Sequence, residues 1–198
     1  DEDSWFNPSS NSGVGGIIPN SLQRGNQSER PVSAELIHPD GSTGFQIDAG
    51  LRMQGGASRS TPFKKHSLSL RFREIYGDGR LDYPLFEDSP VDSFDALHLR
   101  AMYNNSWVHS SQQQRTRASM IRDQWMRDAL LAMGQQDAGQ GTYVHLYLNG
   151  LYWGVYNLHE RPRAAHYADY NGGAGADIIS GGDGVDVLSG DAGTDNIV

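Results

Sequence analysis

The residues between 51 and 73, LRMQGGASRSTPFKKHSLSLRFR, combine types that suit the binding of a phosphate group. Gly55 and Gly56 allow backbone amides to come close to an anion, Ser58 adds a hydroxyl, and Arg59, Lys64 and Lys65 add positive charge. A plain hairpin loop with solvated basic residues accounts for the same segment, because a glycine-rich loop on its own is a weak signal. Deciding between the two depends on what holds the loop in place.

Alternation supplies two supports. Phe45, Ile47, Ala49, Leu51 and Met53 share one face of an extended segment, as do Leu68, Leu70 and Phe72, so a strand is expected on each side of the loop. Within the second strand Lys65 is in phase with Ser67, Ser69, Arg71 and Arg73, whereas Lys64 shares the phase of Leu68 and Leu70; either lysine can face a cleft. Upstream, a strand from about Val32 turns at Pro39–Asp40–Gly41 into the segment ending at Gln54. Downstream, LDYPLF and FDALHLR (94–100) read as strand, and 101–115 as polar loop. One helix is predicted over 116–133, closed by Gly134, with Ala118, Ile121, Trp125, Ala129 and Ala132 as its apolar stripe, widened by Met126, Leu130 and Met133. Arg122 lies inside that stripe and is expected either at its rim or paired in a cleft, with Asp123 beside it. After it, TYVHLYLNGLYWGVYNLHE reads as a hairpin turning at Asn149–Gly150 and ending at Glu160, which as a strand-end carboxylate would be exposed.

With 198 residues, 37% of them hydrophobic and 20% charged, the chain is long enough for one sizeable core and ordinary in its globular usage. Its 24 glycines predict many turns and a loop-rich α+β fold. A net charge of −8, concentrated at the first residues and after Asp169, argues against a general affinity for nucleic acid. Without cysteine there is no disulfide or thiolate metal site. No apolar run reaches the roughly 20 residues that a membrane helix needs. The first residue is Asp1 and no signal peptide is visible, so the true start, with any export signal, is expected upstream. Three stretches result: an irregular arm over 1–30 anchored by Trp5, Phe6, Ile17 and Ile18, a domain over 31–170, and a repetitive segment over 172–198.

Taken in order, RMQGGASRS, PFKKHSLSLRF, the helix with IRDQW and the hairpin YLNGLYWGVYNLHERP resemble the CotH family of atypical protein-kinase-like proteins, over about residues 13–170. The resemblance implies a kinase-like small lobe, an antiparallel sheet with one main helix, that binds ATP with magnesium for phosphoryl transfer to a protein hydroxyl. It implies that Gly55, Gly56, Ser58 and Arg59 cover the phosphates, that Lys64 or Lys65 contacts them, that Asp123 pairs with that lysine, and that Glu160 lies at the hinge near the ribose or adenine. It also implies an exported or cell-surface bacterial protein. The catalytic acidic residues of such proteins lie in a larger lobe that this chain is too short to complete, so the segment alone is expected to be inactive.

From Gly172 the chain reads GGAGADIIS, GGDGVDVLS and GDAGTDNIV, three nonapeptides in phase. These resemble RTX calcium-binding repeats. By that resemblance Gly172, Gly175 and Gly181 make tight bends, Asp177, Asp183, Asp186 and Asp195 offer oxygen ligands to calcium, and Ile179, Leu188 and Ile197 stack inside a roll. A rival reading makes the same residues a strand at the junction of the kinase-like lobes.

Other chemistry is poorly represented. The seven histidines lack close ligand spacing, and there is no Gly-x-Ser-x-Gly elbow. Tyr143, Tyr147, Tyr152, Trp153 and Tyr156 read as core packing or as a sugar-stacking platform. A noncatalytic extracellular binding or structural module with calcium-stabilised repeats is the alternative function.

Overall fold

Strands that alternate apolar and polar residues are driven to pair and to bury one face, and here six of them do so. The computed structural model describes residues 22, 25–59, 63, 65–171, 178–179 and 196–197. β1 (Arg30–Ile37) and β2 (Thr43–Gln54) form the expected hairpin, with the Asp40 carboxylate accepting from the Ser42 backbone and hydroxyl at 2.9 and 2.6 Å. β3 (Ser67–Arg71) follows the glycine loop, and β4 (Leu81–Asp82) pairs with β5 (Ser93–Phe94) as a separate ribbon. β6 (Ala96–Arg100), β7 (Gly141–Leu148) and β8 (Leu151–Glu160) complete an antiparallel sheet in the order β1-β2-β3-β6-β8-β7. The Asn149–Gly150 turn between β7 and β8 has φ of 49° and 77°, as a two-residue hairpin loop of this kind requires.

Register aligns the apolar residues of four strands. Leu51, Leu70 and Leu97 lie side by side, as do Met53, Leu68, Leu99 and Leu158, and Tyr156 extends the row. This face is closed by Phe72, Leu81, Phe86 and Phe94 from the segment that carries the small ribbon. The other face carries Arg52, Ser69, Arg71, His98, Arg100, Asn157 and His159.

The helix predicted over 116–133 starts only at Arg122, and the stretch 101–115 read as polar loop carries most of a short helix. α1 (Gln112–Thr116) and α2 (Arg122–Ala132) are separated by a turn in which Met120 has φ 61°. Tertiary hydrogen bonds hold that turn: the Asn105 side-chain oxygen accepts from Ser119 N–H at 2.9 Å, and Trp107 Nε1 donates to the Ala118 carbonyl at 2.9 Å. The end at Gly134 is as expected, with φ 89° and the paired bonds Gln135 N–H to Leu130 O and Gly134 N–H to Leu131 O.

Most of the predicted apolar stripe does not face the protein. Ile121, Trp125, Met126 and Met133 are 54–77% exposed, while Gln124 is the buried residue of α2. The helix covers the polar face of the sheet, so it turns its own polar side inward: Gln124 Oε1 accepts from Asn157 Nδ2 at 2.8 Å, and Arg100 pairs with Asp123. Gly141 permits this approach, since a Cβ there would lie 2.3 Å from Gln124 Oε1 and 2.9 Å from His159 Cβ.

A short helix not foreseen in the sequence, α3 (Ala164–Tyr170), follows β8. In the repetitive segment, β9 (Ile178–Ile179) and β10 (Asn196–Ile197) pair in parallel. The anchors placed at Trp5, Phe6, Ile17 and Ile18 lie outside the described residues. Among the described residues, no helix is long and apolar enough to cross a membrane.

Candidate functional site

The glycine loop is a tight 3-10 turn, Ala57–Arg59, closed by Arg59 N–H donating to Gly56 O at 3.2 Å. Gly55 has φ 116°, and a Cβ there would lie 2.1 Å from Ser58 Oγ, so the turn is built around the absence of a side chain. His66 Nδ1 donates to the Ser58 carbonyl at 2.8 Å and ties the turn to the start of β3. Arg59 is buried at 4% exposure rather than projecting into solvent.

Lys65 lies on the core side of the sheet, opposite α2. Its Nζ donates to the Val155 carbonyl and sits 4.3 Å from the centre of the buried Tyr156 ring, and burial lowers its pKa to about 8. The Tyr156 hydroxyl in turn donates to the His66 carbonyl at 3.0 Å. Lys65 also lines a small cleft with Phe63, Tyr103 and His109, whose rings contact one another at centroid distances of 4.5–5.6 Å. Lys64 lies outside the described residues.

Asp123 is not brought to Lys65. Its partner is Arg100, with Nε 2.5 Å from Oδ2, which ties α2 to the last residue of β6. Arg100 did not stand out in the sequence because it closes an otherwise apolar run; its position one strand before the helix is the signal that could have found it. Arg122 sits at the surface, donating to the Arg117 carbonyl at 2.8 Å.

Glu160 is 2% exposed, contrary to the expectation for a strand end. Its Oε2 accepts from Gln140 N–H at 2.5 Å and from the Tyr170 hydroxyl at 2.8 Å, and His166 Nδ1 lies 3.7 Å from Oε1. Burial raises its pKa against the hydrogen bonds from Gln140 and Tyr170. The carboxylate thus clasps the end of β8 to α3 and to the loop before β7. The sequence could not show this, because α3 was not foreseen.

The polar face between β2 and β8 was largely missed. Ser69 and His98 are direct neighbours on β3 and β6, and Ser69 Oγ, Arg71 Nε and His98 Nε2 are buried without a hydrogen-bond partner. Arg71 is 7% exposed. Burial first, and then the guanidinium groups of Arg161, Arg52, Arg163 and Arg73, lower its pKa to about 9. The available carboxylates are directed elsewhere: Glu29 to Arg52 and Arg73 at 3.2 and 3.4 Å, and Asp95 to Arg163 at 2.5 Å. His98 and His159 stack edge to face at 5.3 Å; burial and the surrounding arginines lower both to about 3, so both rings are neutral.

The aromatics of the last hairpin divide. Tyr156 is in the core and Trp153 packs against it, whereas Tyr143, Tyr147 and Tyr152 face outward, with Tyr152 hydroxyl 2.8 Å from His145 Nδ1. Gly172, Gly175, Asp177, Gly181, Asp183, Asp186 and Asp195 lie outside the described residues. Among the described residues no cluster of three or more His, Asp or Glu side chains is placed to hold a metal.

A family model described as CotH kinase protein matches residues 51–192. A comparison with curated proteins found no match.

Proposed function

The chain belongs to the CotH kinase protein family, and from that premise we propose that its six-stranded sheet with α2 is the nucleotide-binding small lobe of a kinase-like protein. The observation that carries this reading is the Arg100–Asp123 ion pair between β6 and α2, beside a sheet whose glycine turn joins β2 and β3. In protein kinases a glycine-rich loop covers the nucleotide phosphates, and a cation on the strand before the main helix pairs with an acidic residue of that helix. β2, β3, β6, β8 and β7 with α2 between β6 and β7 fit that plan, with β1 as an added edge strand.

In this reading Arg100 takes the place first given to a lysine of the 64–65 pair. A guanidinium keeps its charge when partly covered and can hold a carboxylate and a phosphate oxygen together. Gly55 and Gly56 bring backbone amides close to the phosphates, with Ser58 beside them. Lys65 and Glu160 are assigned supporting roles, one closing the core over Tyr156 and the other fixing the end of β8. ATP is the nucleotide implied; it supplies the phosphoryl group, and this lobe binds and orients it. No magnesium-binding carboxylate set occurs among the described residues, so no catalytic step is assigned to them. A protein hydroxyl as acceptor, and export to the bacterial surface, extend the reading by family. Titration calorimetry with Mg-ATP tests it: saturable binding that is lost in Arg100→Ala supports the lobe, and unchanged binding in that variant overturns it.

For residues 172–198 two observations favour different readings. Ile178 pairs with Asn196 and Ile179 with Ile197, an offset of 18 residues, or two nonapeptides, which supports a roll with calcium between its turns. The family match extends to residue 192, which supports a junction strand of the kinase-like domain. Calcium-dependent gain of β signal by circular dichroism, lost in Asp177→Ala and Asp186→Ala, selects the roll; indifference to calcium selects the junction strand.

A further inference from the structure

We propose that the polar face of the sheet around Arg71 is a second anion site, built for a phosphate monoester or inorganic phosphate and separate from the glycine turn. Ser67, where the turn rejoins the sheet, is four residues from Arg71, or about 13 Å along β3. The turn proposed above to cover the nucleotide phosphates therefore does not reach it.

Three observations support this site. Arg71 is 7% exposed and makes no ion pair or hydrogen bond with the described residues, although burying an unpaired cation is strongly unfavourable. Its nearest charges are the arginines at 52, 73, 161 and 163, and the two carboxylates in the group, Glu29 and Asp95, are held by other arginines. Five guanidiniums against two carboxylates leave a surplus of positive charge, in a chain whose net charge is −8. Arg161, directly after β8, likewise has no hydrogen bond or ion pair among the described residues.

The remaining groups fit an anion. On β3, Ser69 Oγ lies on the same face as Arg71, and His98 Nε2 is on the residue paired with Ser69. The imidazole is neutral and can carry its proton on Nε2, so the three orphaned atoms can all donate. A phosphate dianion accepts several such bonds and offsets the surplus charge, with a guanidinium fork matching two of its oxygens. A carboxylate ligand offers fewer acceptors and one negative charge, and so fits less well.

The test is titration of inorganic phosphate, O-phosphoserine and AMP into the full chain at constant ionic strength, followed by calorimetry and by thermal melting. Saturable binding that raises the melting temperature and weakens by about tenfold or more in Arg161→Gln supports the site. Arg71→Met should abolish binding; Arg161, at the surface edge, supplies a variant that does not depend on repacking. Equal response to inorganic phosphate and phosphoserine marks a site for the free phosphate group, whereas preference for phosphoserine marks a phosphorylated side chain. No saturable binding of any of the three to folded protein, or binding unchanged in Arg161→Gln, overturns the proposal. Mg-ATP binding lost in Arg100→Ala but kept in Arg161→Gln would leave the nucleotide reading intact whatever the outcome here.

Discussion

The two faces of the sheet are made by the same strands, yet they are built on different physics. On one, Leu51, Leu70 and Leu97 stand in register and are sealed by Phe72, Leu81, Phe86 and Phe94. Burial there stabilises the fold at roughly 25 cal/mol per Å² of apolar surface and asks little of direction. On the other, Ser69, Arg71 and His98 carry buried polar atoms without hydrogen-bond partners, and Arg71 is repelled by the neighbouring arginines, which opposes folding. An anion bound at the site proposed above would offset that cost. The helix that covers this face follows the same logic, turning Gln124 and Asp123 inward and leaving Trp125 outside.

The largest effect expected from breaking this contrast is on the apolar face. Leu97→Ala, at a fully buried position between β3 and β8, should lower unfolding stability by about 3 kcal/mol in denaturant titrations. Arg71→Met on the opposite face of the neighbouring strand should be near neutral or stabilising without ligand, because it removes an unpaired buried charge. Equal losses in the two variants would erase the distinction.

Acid should act on the polar face next. Folding holds His98 and His159 near 3, whereas an unfolded chain leaves them near 6.5, so the unfolded state binds more protons between those values. Stability should therefore fall as pH drops through that window, with a slope of up to about 1.4 kcal/mol per pH unit for each ring. Glu160, whose carboxyl is raised by burial, opposes the fall because the folded state takes up that proton first. A double His98→Gln, His159→Gln variant should have a flatter acid limb in pH-dependent denaturant melts.

A smaller loss is expected where the helix meets the sheet. Gly141→Ala would place a Cβ against Gln124 and His159 and push α2 outward, costing about 1–2 kcal/mol and weakening the proposed nucleotide binding through the Arg100–Asp123 pair. The smallest effect should come from the outer side of the same helix. Trp125→Gln, at 64% exposure, should change stability by less than about 0.5 kcal/mol by thermal melting.

The strands were legible because alternation has one period and a buried face enforces it: Phe45 to Met53, Leu68 to Phe72 and the Asn149–Gly150 turn all lie where their pattern puts them. α2 was legible in its end at Gly134 but not in its start or its orientation. Asn105 and Trp107, distant in sequence, set the break at Met120, and the polar face of the sheet set the rotation. At the site, the glycine turn was visible as composition. Asp123 was expected beside Lys64 or Lys65, but Lys65 turns to Tyr156 on the core side and Asp123 pairs with Arg100. The arginine cluster comes from three separated segments, and no local pattern marks such a convergence.

The central claim is that this lobe binds a nucleotide through the face that α2 covers. Calorimetric titration of Mg-ATP into the chain, its Arg100→Ala variant and its Lys65→Met variant tests it most directly. Binding that disappears in Arg100→Ala and persists in Lys65→Met is the predicted result. Binding that survives Arg100→Ala, or that disappears only with Lys65, would contradict the account and move the phosphates to the core side of the sheet.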